Sequence, residues 1–144
     1  MRRHVPGIRA LLVACLVTAA ACNGKSSSSS TAPTPAPATQ TESFTATIAA
    51  GGSTFYSFTV PVNGIISITL TSVQQGGADV GDALALGVGV PQGTGCNPSV
   101  QVSATAGVSP QISSTVAAGI YCVQVADPGT LPAPTTVGVS IAHP

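Results

Sequence analysis

The fold of this chain is set by residues 53–71, which read STFYSFTVPVNGIISITLT. In both halves of this stretch every second residue is apolar: Tyr56, Phe58 and Val60 in the first half, then Ile66, Ile68 and Leu70 in the second. Strict alternation is typical of β-strands with one buried face, because successive side chains point to opposite sides. Between the halves, Pro61-Val62-Asn63-Gly64 predicts a tight turn, since Asn-Gly accepts positive φ.

The same period of two extends over the rest of the chain, starting at Phe44. It recurs in four further segments, at 84–90, 100–102, 121–125 and 137–141. Gly51-Gly52 separates the first two strands, and loops rich in Gly and Pro are predicted at 74–82, 91–98, 107–110 and 127–134. We therefore predict an all-β fold, an antiparallel β-sandwich of about seven or eight short strands.

Residues 1–21 predict an export signal. Arg2, Arg3 and Arg9 give a positive start, and residues 10–21 form an uncharged run rich in Leu, Val and Ala that ends directly before Cys22. A positive start, a short apolar run and small residues before a cleavage site are the parts of a secretory signal peptide. The apolar run is about a dozen residues long, whereas a membrane-spanning helix needs roughly 20.

A cysteine directly after the small residues resembles the bacterial lipoprotein signal, in which that cysteine is diacylated and becomes the mature N-terminus. We place lipidation at Cys22 and expect the protein to be anchored by lipid in the membrane of the bacterial cell envelope, facing the periplasm or the exterior. The alternatives are lipidation at Cys15, which follows Leu12-Val13-Ala14, and cleavage near Ala21 without a lipid. Cleavage at Cys15 would leave a shorter apolar run than the roughly 7–15 residues usual in such a signal.

Residues 22–41 predict a linker rich in Ser, Thr and Pro. A run of serines at 26–30 and a Thr/Ala/Pro tract at 31–37 have almost no apolar surface to bury, so neither is expected to fold. The serine part is expected to be flexible and the proline part extended. The β-sandwich domain is then expected to occupy residues 42–144.

The charge of the predicted mature chain excludes one class of partner. Three of the four basic residues lie in the predicted signal, so Lys25 remains against Glu42, Asp79, Asp82 and Asp127, a net charge of +1 − 4 = −3. Residues 41–144 contain neither Lys nor Arg. Nucleic-acid binding depends on cationic side chains that neutralise phosphates, so we expect no nucleic-acid partner.

Cys96 and Cys122 are the two cysteines that remain beyond the predicted signal and the lipidated position. Two thiols in an exported domain favour one disulfide. The alternative is a metal site, but zinc requires third and fourth ligands and no histidine is near in sequence. We expect Cys122 in a strand and Cys96 in the loop at 91–98.

Three segments, at 44–60, 64–71 and 118–125, resemble the bacterial pre-peptidase C-terminal domain. In that family a Gly-containing turn leads into a Tyr-x-Phe strand, as Gly51-Gly52 leads here to Tyr56-Ser57-Phe58. A Gly-led aliphatic strand and a later Gly-x-Tyr strand follow in the family, and Gly64 and Gly119-Ile120-Tyr121 hold those places here. The resemblance implies a jelly-roll-like sandwich that accompanies secreted enzymes and sometimes binds calcium or a polymer. It does not imply catalysis.

The titratable residues do not predict an active site. A Ser/His/Asp hydrolase needs a positioned imidazole, and His143, beside the final residue, is expected to be frayed along with Pro144. Asp79 and Asp82 share one loop, where they are either solvated acids or a weak calcium site. Asp127-Pro128-Gly129 predicts a turn.

Carbohydrate binding is equally weakly indicated, because the chain has no Trp and Tyr56, Phe58 and Tyr121 fall on the predicted core face. Phe55 is the remaining candidate for an outward aromatic. We therefore expect a non-enzymatic envelope domain without a cofactor that contacts another envelope protein or a polysaccharide. The alternative is an accessory module of the secreted-enzyme type, with weak calcium or carbohydrate binding.

Overall fold

The computed structural model describes residues 39–144, which form nine strands. They are β1 Gln40–Ile48, β2 Ser53–Val60, β3 Gly64–Gln75, β4 Ala78–Asp79, β5 Leu84–Gln92, β6 Gly95–Ala104, β7 Ile112–Val116, β8 Gly119–Ala126 and β9 Thr135–His143. No helix in this part of the chain is long and apolar enough to cross a membrane. The predicted signal peptide, Cys15, Cys22 and the linker up to residue 38 lie outside the described residues.

The strands form two antiparallel sheets, so the predicted β-sandwich is confirmed. The five-stranded sheet has the order β1-β9-β3-β4, with β7 also paired to β3, and the four-stranded sheet has the order β2-β8-β5-β6. Because β4 pairs only with the last two residues of β3, the eight longer strands make two layers of four. The chain winds between the layers in the order of a jelly roll.

The core lies between the two sheets and consists of the alternating residues of the strands. Its fully buried members include Ile66, Ile68 and Leu70 of β3, Leu84 and Leu86 of β5, Val123 and Val125 of β8, and Val137, Val139 and Ile141 of β9. Burying an aliphatic side chain of this size contributes roughly 1.5–3 kcal/mol. The alternation in the sequence therefore reports directly which face of each strand is buried.

A side-chain amide completes the hydrogen bonding along the outer edge of β3. Between the segments paired with β7 and β4, the Leu70 N–H donates to Gln111 Oε1 at 2.7 Å. The Gly107 and Gln111 N–H groups donate to the carbonyls of Leu70 and Ile68, at 2.9 and 3.0 Å. The loop at 105–111 therefore covers an edge that would otherwise expose backbone polar groups.

Several predicted boundaries differ from the structure. The stretch at 91–98 is a hairpin of β5 and β6, not a loop, so Cys96 lies in a strand. The register between β5 and β6 shifts because Ser99 of β6 is an extra residue opposite Val88 and Gly89. Val90, expected in phase with the core, lies beyond the last pair of β5 with β8 and is 51% exposed. Strands β4 and β7 were not predicted, because their short sequences lack clear alternation. The first strand begins at Gln40, two residues before the predicted domain boundary.

The prediction of a frayed C-terminus is wrong. Strand β9 extends to His143 and lies between β1 and β3, so it is an inner strand of its sheet. The His143 side chain is 2% exposed. Pro144 packs on Gly64, where any Cβ would overlap the proline ring. A residue near the end of the chain is therefore part of the core, because pairing on both sides of β9 holds it there.

Candidate functional site

The two ends of the sandwich, called proximal and distal, differ in chemistry. The proximal end is the one at which residue 39 leads into β1; it carries the turn at 61–63, the connection at 117–118, the tip of the β5–β6 hairpin and Pro144. The distal end carries the turn at 49–52, the segment at 76–83 and the loop at 127–134. Asp79, Asp82 and Asp127, the acidic residues considered in the sequence analysis, all lie at the distal end.

Asp79 and Asp82, the predicted calcium ligands, lie on the segment at 76–83. Asp79 is exposed in β4, where its Oδ1 accepts a hydrogen bond from Gln74 Nε2 at 2.9 Å. It lines an open cleft of about 410 Å³ with Thr71, Ser72 and the loop at 106–108, and Asp82 is not among the lining residues. Within residues 39–144 there is no group of three or more His, Cys, Asp or Glu suited to a metal ion. Calcium binding stays a prediction.

Asp127 fixes the loop at the distal end. Its Oδ1 accepts from the N–H groups of Gly129 and Thr130 at 2.9 and 2.8 Å, and its Oδ2 accepts from the Gly51 N–H at 2.7 Å. Leu131 N–H donates to both oxygens. Desolvation acts to raise the pKa of Asp127, but these backbone donors outweigh it and bring the pKa to about 2. The turn predicted at this position is thus organised by a carboxylate.

A second polar cluster, Glu42, Tyr56 and His143, lies toward the proximal end. Glu42 Oε2 accepts from the Tyr56 hydroxyl at 2.7 Å, and Glu42 Oε1 lies 2.9 Å from His143 Nε2. His143 Nδ1 lies 2.9 Å from the oxygen of Pro144. Since Glu42 and His143 come from the five-stranded sheet and Tyr56 from the four-stranded one, the cluster joins the two layers.

The electrostatics of this cluster favour ionised Glu42. The hydrogen bond from Tyr56 lowers the pKa of Glu42; partial burial opposes this, and His143 lowers it further. The same bond to Glu42, with the charge of Glu42, raises the pKa of Tyr56. Both ring nitrogens of His143 lie within hydrogen-bond distance of an oxygen atom, so neither is left without a partner.

Aromatic rings surround the cluster on its core side. Phe44 and Tyr56 stack with ring centroids 5.2 Å apart, and Phe58 contacts both His143 and Tyr121, at 5.5 and 6.1 Å. The polar groups of Glu42, Tyr56 and His143 are satisfied by one another and by Pro144, so the cluster is suited to holding the layers together. A sequence signal for it existed: Glu42 is in phase with Phe44 and Ile48, and His143 is in phase with Val139 and Ile141.

The predicted disulfide between Cys96 and Cys122 is confirmed, with Cα atoms 5.8 Å apart. It joins β6 to β8, which lie on either side of β5. Strand β6 crosses closely over Gly89 of β5, where a Cβ would overlap the backbone of Asn97. The bridge therefore depends on a glycine in the strand beneath it and ties the tip of the β5–β6 hairpin to the centre of its sheet.

The outer face of the four-stranded sheet is uncharged. Phe55 points outward, as predicted, and is 39% exposed, whereas Phe58 is buried and Tyr56 and Tyr121 are half-buried. The exposed polar residues of this face include Ser53, Ser57, Thr59, Gln101 and Ser103. A shallow cleft of about 280 Å³ at its distal edge is lined by Ala85, Gln101, Val102, Ser103 and Pro128. This face offers hydroxyl and amide groups around one aromatic ring.

The chain shows no match to any protein-family model and no significant similarity to curated proteins.

Proposed function

We propose that the protein is a non-enzymatic, lipid-anchored β-sandwich of the bacterial cell envelope that contacts another envelope protein or a matrix polysaccharide. What supports this is the combination of a predicted signal over residues 1–21, directly before Cys22, with a disulfide-bonded domain that has neither Lys nor Arg. Disulfides persist in oxidising compartments outside the cytosol. Two acyl chains would hold such a domain stably at a membrane.

The contact surface in this proposal is the outer face of the four-stranded sheet. Its exposed side chains carry no charge, so its partner would be recognised by hydrogen bonds to Ser57, Thr59 and Gln101 and by apolar contact with Phe55. An aromatic ring beside hydroxyl and amide groups suits either a neutral protein surface or a sugar polymer.

The anchor is tested by metabolic labelling of the full chain with palmitate. Wild-type protein is expected to incorporate label, Cys22→Ser to incorporate none, and Cys15→Ser to behave as wild type. Loss of label in Cys15→Ser alone would move the anchor to the alternative cysteine. An unlabelled wild-type protein retained in the cytosol would overturn the proposal.

The contact surface is tested by photo-crosslinking in intact cells. A photoreactive residue at Phe55 is expected to form a discrete adduct with a protein or polysaccharide, and the adduct should weaken when Ser57 and Gln101 are changed to Lys. The matched control is a photoreactive residue at Val108, which is 99% exposed on the loop beside β3. Equal labelling from the two positions, or none from Phe55, would contradict the assignment of this face.

A second candidate function is a calcium-dependent accessory module, favoured by the position of Asp79 in the cleft of about 410 Å³. It is tested by titrating Ca²⁺ into the full chain by calorimetry, with Asp79→Asn and Asp82→Asn as paired variants. Support would be a heat of Ca²⁺ binding and a rise in melting temperature with Ca²⁺ in the wild type, with both effects lost in each variant. No heat and no change in melting temperature would remove it.

A further inference from the structure

The exposed apolar side chains of the described domain are concentrated at one end. Seven large hydrophobic residues in this part of the chain are exposed. Four of them lie at or beside the proximal end: Val62 at 43%, Ile65 at 62%, Val90 at 51% and Ile120 at 61% exposure. Scattered exposed apolar residues are normal, but a grouped set marks a surface that contacts something.

The strand registers place these four residues at the same end of the sandwich, with Ile65 on the outer face of the five-stranded sheet and Ile120 on the outer face of the four-stranded sheet. Val62 lies in the turn that joins β2 to β3, and Ile65 is the second residue of β3. Ile120 pairs with Thr59, next to the end of β2, and Val90 continues β5 beyond the pair formed by Gly89 and Cys122. Gln40 pairs with His143 at this same end, so the segment that precedes residue 39 joins the domain beside them.

The charges lie at the opposite end. Asp79, Asp82 and Asp127 belong to distal segments, and the proximal segments at 61–66, 90–95 and 116–120 contain no charged side chain. Glu42 is the acidic side chain nearest the proximal end, and it is bonded to Tyr56 and His143. The described domain thus has three aspartates at the end directed away from its point of attachment and apolar, uncharged connecting segments at the end beside it.

We propose that the proximal end is a lipid-contact surface, with Val62, Ile65, Val90 and Ile120 seated in the headgroup region of the bilayer that holds the anchor. This rests on the proposed lipid anchoring at Cys22. Apolar side chains gain free energy in this region and charges are costly there, so the end with exposed Val and Ile, whose connecting segments carry no charged side chain, is the one suited to contact lipid. The three distal aspartates then face away from the negative surface of anionic lipids.

With the proposed lipid anchor in place, a weak contact between these four side chains and the bilayer is sufficient to hold the proximal end against the membrane. Four partly exposed aliphatic side chains bind a bilayer weakly by themselves, because interfacial binding scales with the apolar area buried. An acyl anchor converts this contact into an intramolecular one at high effective concentration. The contact would occupy the proximal edge of the outer face of the four-stranded sheet, where Ile120 pairs with Thr59, and leave Phe55 and Gln101 open to a partner.

The test uses tryptophan as a probe, because the chain has no Trp of its own. Full-length acylated protein carrying Val62→Trp or Ala78→Trp is reconstituted into phosphatidylcholine vesicles, with and without brominated acyl chains. We expect blue-shifted emission from Val62→Trp, loss of most of it to brominated lipid and protection from acrylamide. Ala78→Trp, in the exposed strand β4 at the distal end, should be quenched by acrylamide and not by lipid.

A second set of variants separates lipid contact from the preference of tryptophan itself for interfaces. Adding Ile65→Ser and Ile120→Ser to Val62→Trp should restore quenching by acrylamide, whereas Val108→Ser, an equally polar change elsewhere on the surface, should not. If Val62→Trp remains fully open to acrylamide on vesicles, the inference is overturned. If it is shielded without vesicles, a second copy covers this end, and the inference is likewise overturned.

Failure of the anchor can be distinguished from failure of the contact. If palmitate labelling shows no acylation, the leaderless chain beginning at Cys22 is coupled through that thiol to a maleimide lipid, and the same quenching is measured. Shielding of Val62→Trp in this tethered protein would support the contact even though the biological anchor had failed. Exposure of the probe there would overturn the contact independently of acylation.

Discussion

The two ends of the sandwich are each fixed by a carboxylate, but the partners come from different distances along the chain. At the distal end, the Asp127 carboxylate accepts mainly from backbone donors within four residues. The long-range bonds of Asp127 are confined to the turn at 49–52, where its carboxylate accepts from the Gly51 N–H and its own N–H donates to the carbonyl of Gly52. Toward the proximal end, Glu42 binds Tyr56, 14 residues away, and His143, 101 residues away. The distal loop can therefore take its shape locally, whereas the proximal cluster requires both sheets to be docked.

The proximal end also carries the covalent bond. Cys122 pairs with Gly89 in β8 and β5, and Cys96 lies in the hairpin whose tip is at this end. Contacts between residues far apart in the sequence close long loops of the unfolded chain. The stability of a region built on such contacts therefore depends more on anything that restricts the conformational freedom of the unfolded chain. We therefore expect the largest losses of stability from changes on the proximal side and smaller ones from the distal loop.

Removing the disulfide should have the largest effect. The double variant Cys96→Ala/Cys122→Ala is expected to lower the free energy of unfolding by roughly 3.5 kcal/mol, because the bridge closes a loop of about 26 residues. Urea denaturation of the variant and of reduced wild-type protein measures this, and the two should agree. Close to unchanged stability in both would show that the hairpin is held by β5 and β8 without the bridge.

Replacing His143 comes next. His143→Ala removes a buried ring that packs on Phe58 and leaves Glu42 without one partner, so we expect a loss of about 2–3 kcal/mol in the free energy of unfolding. Ser140→Ala, on the same strand, is the matched control and should change stability little. Similar small effects from both would mean that the end of β9 is not part of the cooperative core.

Changing Asp127 should have a smaller effect with a distinctive pH dependence. Asp127→Asn keeps the size of the side chain but loses acceptors for the backbone N–H groups, so the melting temperature should fall by several degrees at neutral pH. Because the pKa of Asp127 is lowered to about 2 from an ordinary 3.8, its contribution is full above pH 3.8 and is lost as the pH falls toward 2.

The difference in melting temperature between wild type and Asp127→Asn should therefore shrink on acidification through this window. Asp79→Asn is the matched control, because Asp79 is exposed and accepts one hydrogen bond from Gln74. The lowered pKa of Glu42 adds acid sensitivity with the same sign to both proteins, so it does not produce the difference. A constant difference from pH 7 to pH 2 would contradict the role given to Asp127.

The sequence predicts features that depend on neighbouring residues better than features that depend on residues far apart along the chain. Alternation is a local property, so it identified the strands around Phe58, Ile68 and Val123 and hence the sandwich. The contact between Glu42 and His143 joins residues far apart in the sequence, so alternation does not predict it. For that reason His143, beside the chain end, was expected to be frayed. The phase of Glu42 and His143 with buried neighbours was the available signal, because a polar residue on a core face needs a partner there.

The irregular positions were hidden for a related reason. The register shift beside Gly89 comes from an extra residue in β6, Ser99, which the composition of the strand does not reveal. Val90 keeps the apolar phase of β5 but lies beyond its last pair with β8, so its side chain is exposed. The short β4 and β7 exist because β3 offers them an edge, and their own residues give little indication of it. Asp127 was placed in a turn, but its long-range bond to Gly51 depends on the docking of the first turn.

The smallest expected effect is at Asn63, in the turn next to Val62. Its Oδ1 accepts from the Ala118 N–H at 2.8 Å, which ties together the two connections that cross the proximal end. Asn63→Ala should cost about 0.5–1 kcal/mol, because both groups are exposed and water replaces the bond. Thr115→Ala, on the exposed face of β7 nearby, is the control for a polar truncation without this bond. Urea denaturation would contradict the assignment if the two variants lost the same stability, since the two connections would then be held independently of Asn63.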